Sequence, residues 1–312
     1  MKKARLTVCF YLVTGALALI FSSAASAQET PADYQTVLKE LGRSGDFKAN
    51  VLKVNVPRND LHVTIDGQST PTPFGFGGWV AMTKADTGME VLMGDLVLTQ
   101  EEVNPVLSSL LDHGIEVTAL HNHFFFEEPR LFYMHIHGHG DAMNLAHNIK
   151  PALDLIGHVS SVPAGAMSSP APAAASATFP FDTAALNKIA GFEGEKLGSV
   201  YKFTAGRDDL HLTEMGAAIK ARMGLNSWAA FAGNDDDAQA AGDIAMRESE
   251  VNAVLKALRS HGLNIVAIHH HMLDTQPTVI FLHYWGRGPA PKLAAGFRAA
   301  LDQLGTAKPQ SK

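Results

Sequence analysis

Six histidines occur in a repeated pattern that suits metal binding. They are His121, His123 and His135 in the first half of the chain and His269, His271 and His283 in the second. In each half, two histidines lie two residues apart in one predicted strand and the third lies in the next strand. Side chains two apart on a strand share a face, so each trio is expected to converge if its two strands pair.

Imidazole nitrogen is a good ligand for Zn, Cu, Ni and Fe, and three protein ligands with one open position form the usual catalytic zinc arrangement. The pattern therefore predicts a bound divalent transition metal, with zinc as the preferred ion. Hydrogen-bonded structural histidines on a half-buried sheet are the alternative. Recurrence of the trio favours the metal, but a register slip of one residue would put the two histidine rows on opposite faces.

The chain contains an internal duplication. Residues 58–62 match residues 207–211 at an offset of 149, and Gly94-Asp95 matches Gly242-Asp243 at an offset of 148. The predicted organisation is a signal peptide over 1–27, a first repeat over 28–157, a Pro/Ala/Ser-rich linker over 158–180, a second repeat over 181–305 and a tail over 306–312.

Each repeat is predicted to combine strands and helices. A hairpin is expected between residues 51–56 and 61–65, and Thr99-x-x-Glu102 is typical of a helix capping box. Strands are expected over 115–123 and 131–138, with a helix over 141–156. This pattern predicts an α+β fold of two tandem homologous repeats in a pseudo-twofold arrangement, each a largely antiparallel sheet with helices.

The first residues predict export. Three basic residues precede the apolar run 8–21, and Ala25-Ser26-Ala27 is typical of a signal-peptidase site. We therefore expect a periplasmic or secreted protein with no stable membrane span after cleavage. Cleavage would remove Cys9, the only cysteine, and shift the formal net charge from −6 to −9. Any metal ligands must then be His, Asp or Glu, and the lack of a basic block argues against a nucleic-acid partner.

Two repeated carboxyl groups and one turn need interpretation. Asp95 and Asp243 follow Gly in apolar strands, so each is expected to orient a ligand imidazole or to pair with a repeated arginine, Arg58 or Arg207. Glu127, in the turn between the histidine strands, is interpreted as solvated. The sequence contains no G-x-S-x-G motif of serine hydrolases, no P-loop and no H-E-x-x-H motif of zincins. No general base is identifiable either, so the sequence leaves open whether the protein is an enzyme.

The residues over 94–99, 102–106, 119–123 and 135–141 together resemble the LppY/LpqO family, exported bacterial proteins with a tandem domain of unknown function. The resemblance covers nearly the whole chain after residue 27 and implies a cell-envelope or secreted location. Mycobacterial members are described as lipoproteins. This sequence lacks a lipobox, so the resemblance implies a soluble periplasmic form and carries no established activity.

Two main functions follow from these patterns. The first is an exported metal-binding protein with His-rich sites, with a zinc-dependent hydrolase as its enzymatic form. The alternative is a metal-free envelope binding module for a small ligand or a protein, with a groove between the repeats. A purely structural envelope protein is a third interpretation. The sequence leaves open whether the repeats form one site or two.

Overall fold

The computed structural model describes residues 28–158, 179–273 and 275–305. The predicted signal peptide, the predicted tail and residues 159–178 of the predicted linker lie outside the described residues. Among the helices of the described residues, none is long and apolar enough to cross a membrane.

Helices and strands follow the same order in both halves of the described chain, except that the two-residue strand Glu127–Glu128 of the first half has no counterpart in the second. The helices are α1 (Ala32–Leu41), α2 (Gln100–Asp112), α3 (Ala142–Leu155), α4 (Thr183–Ala190), α5 (Val251–Ser260) and α6 (Ala290–Leu301). The strands of the first repeat are β1 (Gly45–Lys48), β2 (Val51–Pro57), β3 (Val63–Ile65), β4 (Gln68–Thr70), β5 (Gly77–Lys84), β6 (Glu90–Thr99), β7 (Glu116–His121), β8 (Glu127–Glu128) and β9 (Leu131–Gly140). Those of the second are β10 (Glu195–Leu197), β11 (Val200–Gly206), β12 (Thr213–Glu214), β13 (Ala217–Ala218), β14 (Asn226–Gly233), β15 (Ala238–Arg247), β16 (Asn264–His269) and β17 (Val279–Gly288).

Each repeat is built on a six-stranded sheet. The strand orders are β1-β2-β5-β6-β9-β7 and β10-β11-β14-β15-β17-β16, and all neighbours are antiparallel. The two orders correspond strand for strand. The predicted α+β fold with two homologous, antiparallel repeats is confirmed.

The two faces of each sheet have different roles. In β2, the buried residues Leu52, Val54 and Val56 alternate with more exposed ones, and they form one core with α1, α2 and α3. The second sheet packs in the same way on α4, α5 and α6. Because side chains alternate between the two faces of a strand, the histidines and other polar residues of these strands lie on the opposite face of each sheet. That face is turned toward the other repeat.

Each repeat also extends a short segment onto the inner face of the other sheet. Residues 61–76 pack with Ala230, Ala241 and Trp285 of the second sheet. Residues 210–225 pack with Ala81 and Met93 of the first sheet. The polar inner faces are therefore enclosed by both halves of the chain.

The predicted hairpin between residues 51–56 and 61–65 is wrong. Strand β2 pairs with β1 and β5, whereas β3 joins a separate three-stranded sheet with β4 and β8. The buried Arg58 explains the change of direction. Its guanidinium donates to the Val97 carbonyl oxygen at 2.8 Å, to Glu102 at 2.6 Å and to Asp60. This network turns the chain away from the main sheet just after β2.

Candidate functional site

Strands β7 and β9 position the first trio of histidines. His121 is the last residue of β7 and lies opposite Tyr133, and Ala119 lies opposite His135. His123 follows two residues after His121. Strands β16 and β17 repeat this arrangement, with Ala267 opposite His283 and His269 opposite Phe281. Because cross-strand partners share a face, all the histidines project from the inner faces of the two sheets.

The structure brings the two predicted trios into one group between the repeats. The ring centroids of His121 and His269 are 3.7 Å apart. His123 lies 3.5 Å from His283, and His135 lies 3.8 Å from His271, so the closest pairs join one repeat to the other. We call this group the histidine cluster: His121, His123, His135, His269, His271 and His283. The six histidines therefore form one group between the repeats rather than two separate groups of three.

Ring nitrogens of the histidine cluster lie close enough together to share a metal ion. Three sets of three have ligand atoms within 4.8 Å of one another. They are His121/His123/His283, His121/His135/His269 and His269/His271/His283. Two of the three sets take histidines from both repeats, so the complete cluster requires the whole two-repeat chain.

Most of these nitrogens have no hydrogen-bond partner. Both ring nitrogens of His121, His123 and His269 are buried and unpaired, as is Nε2 of the other three members. His283 Nδ1 lies 3.3 Å from the Gly242 carbonyl oxygen. Leaving a buried polar atom unpaired costs roughly 1–3 kcal/mol. A group of such atoms aimed at one another is therefore more consistent with ligands than with structural histidines.

Burial also sets the protonation state of the histidine cluster. Desolvation lowers the pKa of His121 to about 3 and that of His269 to about 2. It lowers the pKa of His123, His135, His271 and His283 well below the usual range, with a further contribution from neighbouring imidazoles. The rings are neutral near pH 7, so a metal ion need not displace a proton from them.

Aromatic side chains stack on two imidazole rings of the histidine cluster. His123 stacks on Tyr133 with 3.2 Å between centroids, and His271 stacks on Phe281 at 3.3 Å. Tyr133 is itself held by donating its hydroxyl hydrogen to the Gly75 carbonyl oxygen at 3.0 Å. These contacts position the imidazoles before any ligand binds, which lowers the cost of assembling a metal site.

The repeated aspartates lie beside the cluster and do not pair with the repeated arginines. Asp243 Oδ2 is 3.5 Å from His271 Nε2, and its Oδ1 accepts the Leu282 amide hydrogen at 3.1 Å. Burial raises the pKa of Asp243 well above its usual range and that of Asp95 to about 7. The expected pairing with arginine is wrong because Arg58 and its counterpart bind the carboxylates of the turn and helix start instead.

Glu127 departs from what the sequence suggests, and His137 makes a contact between the repeats. Glu127, interpreted as solvated, is 5% exposed and accepts the Leu131 amide hydrogen at 3.3 Å, and burial raises its pKa to about 7. The short β3–β8 pairing encloses it. His137, which has no histidine counterpart in the second repeat, places Nδ1 2.7 Å from Glu214 Oε1 of the other repeat.

Sequence reasoning missed Lys53 and Lys202, which lie on the same inner faces as the histidine cluster. They match at the offset of 149 that aligns the start of the two repeats. A lysine at the same position in both copies, between two buried apolar residues of its strand, was the signal that could have found them.

The fold and the cluster define a two-repeat α+β protein with a histidine-lined interior site. Residues 35–155 and 184–303 match the model of a Domain of Unknown Function (DUF1259), so the chain belongs to this family and carries two tandem copies of it. No curated protein matches the sequence.

The chain is also similar to solved structures of microcompartment shell proteins. The trimeric bacterial shell protein PduB is 13% identical, with 81% of this chain and 87% of that chain covered and a TM-score of 0.20. EtuB from Clostridium kluyveri is 8% identical, with 84% and 89% covered and a TM-score of 0.21. A fused permuted hexameric shell protein from the RMM microcompartment is 11% identical, with 70% and 81% covered and a TM-score of 0.18. TM-scores this low say nothing about function.

Proposed function

We propose that this protein binds a divalent transition metal, with zinc as the first candidate, in the histidine cluster shared by its two repeats. The observation that carries the proposal is the set of convergent, buried ring nitrogens without hydrogen-bond partners. Nitrogen-only ligands favour Zn, Cu, Ni or Fe over Mg and Ca, which prefer oxygen. The proposed ligands are His121, His123, His135, His269, His271 and His283.

The chain's own residues would orient and complete such a site. Asp243, with Oδ2 3.5 Å from His271 Nε2, lies against that ring and limits its movement. Tyr133 and Phe281 would limit ring rotation by stacking. If three histidines bind zinc and one position stays open, the ion would lower the pKa of a bound water toward ~7, the basis for a zinc-dependent hydrolase.

Export of the protein and its membership in the LppY/LpqO group are part of the same proposal. The basic, apolar and Ala-x-Ala segments at the start of the chain support export to the periplasm or outside the cell. The motifs shared with the LppY/LpqO proteins support membership in that exported group. We propose a soluble, exported metalloprotein whose ligand or substrate comes from the cell envelope, without a nucleic-acid partner.

Elemental analysis of the purified protein tests the proposal. The full chain is produced with export, so that the metal is acquired in the compartment where the protein is expected to function. We expect about one or more equivalents of a transition metal in the wild type. We expect a loss of most of it in the His121→Ala/His123→Ala variant.

The matched control is His62→Ala/His211→Ala, a repeat-related pair of exposed histidines outside the cluster. This variant should keep the wild-type metal content. Equal and negligible metal in the wild type and both variants, also after incubation with zinc, would refute the proposal.

A further inference from the structure

The six members of the histidine cluster divide into two sets of three. The first set is His121, His123 and His283, and the second set is His269, His271 and His135. Each set takes two neighbouring histidines from one repeat and its third histidine from the other. The repeat offset of 148 relates every member of one set to a member of the other, so the division follows from the internal duplication.

The two sets have closely similar internal spacing. In the first set the closest rings, His123 and His283, have centroids 3.5 Å apart, and the third ring lies 5.1 and 5.0 Å from them. In the second set the closest rings, His271 and His135, have centroids 3.8 Å apart, and the third ring lies 5.0 and 5.3 Å from them. The cluster therefore contains one arrangement of three imidazoles twice.

A single ion could not bind all six imidazoles in this arrangement. Six nitrogens bound to one ion at about 2.0–2.1 Å would all lie within roughly 4.2 Å of one another. Among the described residues, however, each group whose ligand atoms lie within 4.8 Å of one another contains three histidines. All six rings have a buried Nε2 without a hydrogen-bond partner. One ion held by three rings would leave three of these nitrogens unpaired, at roughly 1–3 kcal/mol each, whereas two ions would use all six.

Asp243 adds an oxygen ligand to the second set. Its Oδ2 lies 3.5 Å from His271 Nε2, and its Oδ1 accepts the Leu282 amide hydrogen. Two ligand atoms at about 2.0–2.2 Å from one tetrahedral ion lie roughly 3.4 Å apart, so this oxygen and nitrogen have the spacing of two ligands of the same ion. Asp95, the repeat counterpart of Asp243, has no ring nitrogen within 4.0 Å among the described residues. The carboxylate therefore belongs to the second set alone.

We propose that the histidine cluster binds two transition-metal ions, one in each set, with Asp243 as an additional ligand of the second ion. This inference rests on the proposed metal function and specifies how many ions the cluster holds. The ring nitrogens of the first set already lie within 4.8 Å of one another. In the second set His269 has this spacing with His135 in one candidate group and with His271 in another, but the three do not form one such group.

The first set is therefore the tighter site. The second set requires a ring adjustment before it can close around an ion, and such a rearrangement reduces the affinity. The protein isolated after export carries mainly the first ion, and added zinc fills the second site.

Calorimetric titration of the metal-free exported protein with zinc, followed by elemental analysis of the zinc-loaded protein, tests the inference. We expect two equivalents of zinc in the wild type, with one binding event tighter than the other. His123→Ala should lose the tighter event and keep about one equivalent. Its repeat counterpart, His271→Ala, should lose the weaker event and also keep about one equivalent. The ion that each variant retains shows that the variant is folded.

Two matched controls accompany these variants. Asp243→Asn should weaken the second binding event and leave the first unchanged, whereas Asp95→Asn, at the corresponding position of the other repeat, should leave both unchanged. His62→Ala/His211→Ala, outside the cluster, should keep two equivalents. Equal effects of Asp243→Asn and Asp95→Asn on the second event would exclude Asp243 as a ligand.

The stoichiometry separates failure of this inference from failure of the proposed function. One equivalent of zinc in the wild type, lost in His121→Ala/His269→Ala, would overturn the two-ion inference and leave the proposed function standing. No zinc in the wild type would refute both. Two equivalents that persist in His123→Ala and in His271→Ala would place the ions outside the two sets and overturn the inference.

Discussion

Zinc added to the metal-free protein should raise its free energy of unfolding by about 4 kcal/mol when free zinc exceeds the dissociation constant a thousandfold. The gain arises because the histidine cluster exists only in the folded chain and needs both repeats. For a protein of this size, each kcal/mol shifts the melting temperature by roughly 2–4 °C. Thermal unfolding with and without zinc, after removal of metal by a chelator, measures the effect.

His121→Ala/His269→Ala should abolish most of this stabilisation. These two rings stack on each other at 3.7 Å, and every candidate ligand set contains one or both of them. The exposed pair His62→Ala/His211→Ala should show the full zinc-dependent shift. Equal zinc shifts in the two double variants would contradict a site in the cluster.

Mild acid should destabilise the metal-free protein steeply. All six clustered histidines have a pKa in the folded protein below the unfolded value of 6.5. Below pH 6.5 the unfolded chain therefore binds more protons than the folded chain, and stability falls as the pH falls toward the folded values. Each such group contributes up to about 1.4 kcal/mol per pH unit.

Four buried acids act in the opposite direction. Burial raises the pKa of Asp95 and Glu127 to about 7, that of Glu90 above its usual range and that of Asp243 well above its usual range. They take up protons in the folded state above the pH at which they would do so in the unfolded chain, which offsets part of the histidine effect. The six histidines outnumber these acids, so the metal-free protein still loses stability as the pH falls below 6.5.

Denaturant unfolding at pH 6.5, 6.0, 5.5 and 5.0 in the presence of a chelator measures this slope. In His121→Ala/His269→Ala two of the six histidines are gone, so the loss of stability per pH unit should be smaller than in the wild type by up to about 2.7 kcal/mol. Zinc should move the acid transition of the wild type to lower pH. A metal-free wild type with the same stability at pH 6.5 and pH 5.0 would show that the imidazoles are not buried neutral in solution.

The repeat architecture was readable from the sequence because paired rare residues fix the alignment of the two halves. The helix at Gln100 was predictable from its capping box, and Glu102 does accept the Thr99 amide hydrogen at 2.8 Å. The hairpin after β2 was not predictable. The chain leaves the main sheet there because Arg58 is buried against Val97 and Glu102, and local turn residues do not encode this long-range contact.

The convergence of His269, His271 and His283 was predictable from period-2 alternation, whereas His121, His123 and His135 form ligand sets only with histidines of the second repeat. The union of both trios was not predictable. The pairs His123–His283 and His135–His271 form only because the two inner faces pack on each other. The sequence likewise left the metal-free binding module open. Rings capped by backbone carbonyls would favour that alternative, and among the six described rings of the histidine cluster His283 alone has such a contact. Burial of Glu127 was missed because β8 pairs with the distant β3.

Anomalous X-ray diffraction from crystals of the zinc-loaded protein, recorded on both sides of the zinc absorption edge, tests the central claim most directly. We expect a strong zinc peak between β7/β9 and β16/β17, with imidazole nitrogens of both repeats at about 2.0–2.1 Å from it. A zinc ion bound only by surface residues such as His62, His147 or His211 would contradict the account. So would the absence of any anomalous peak between the two sheets.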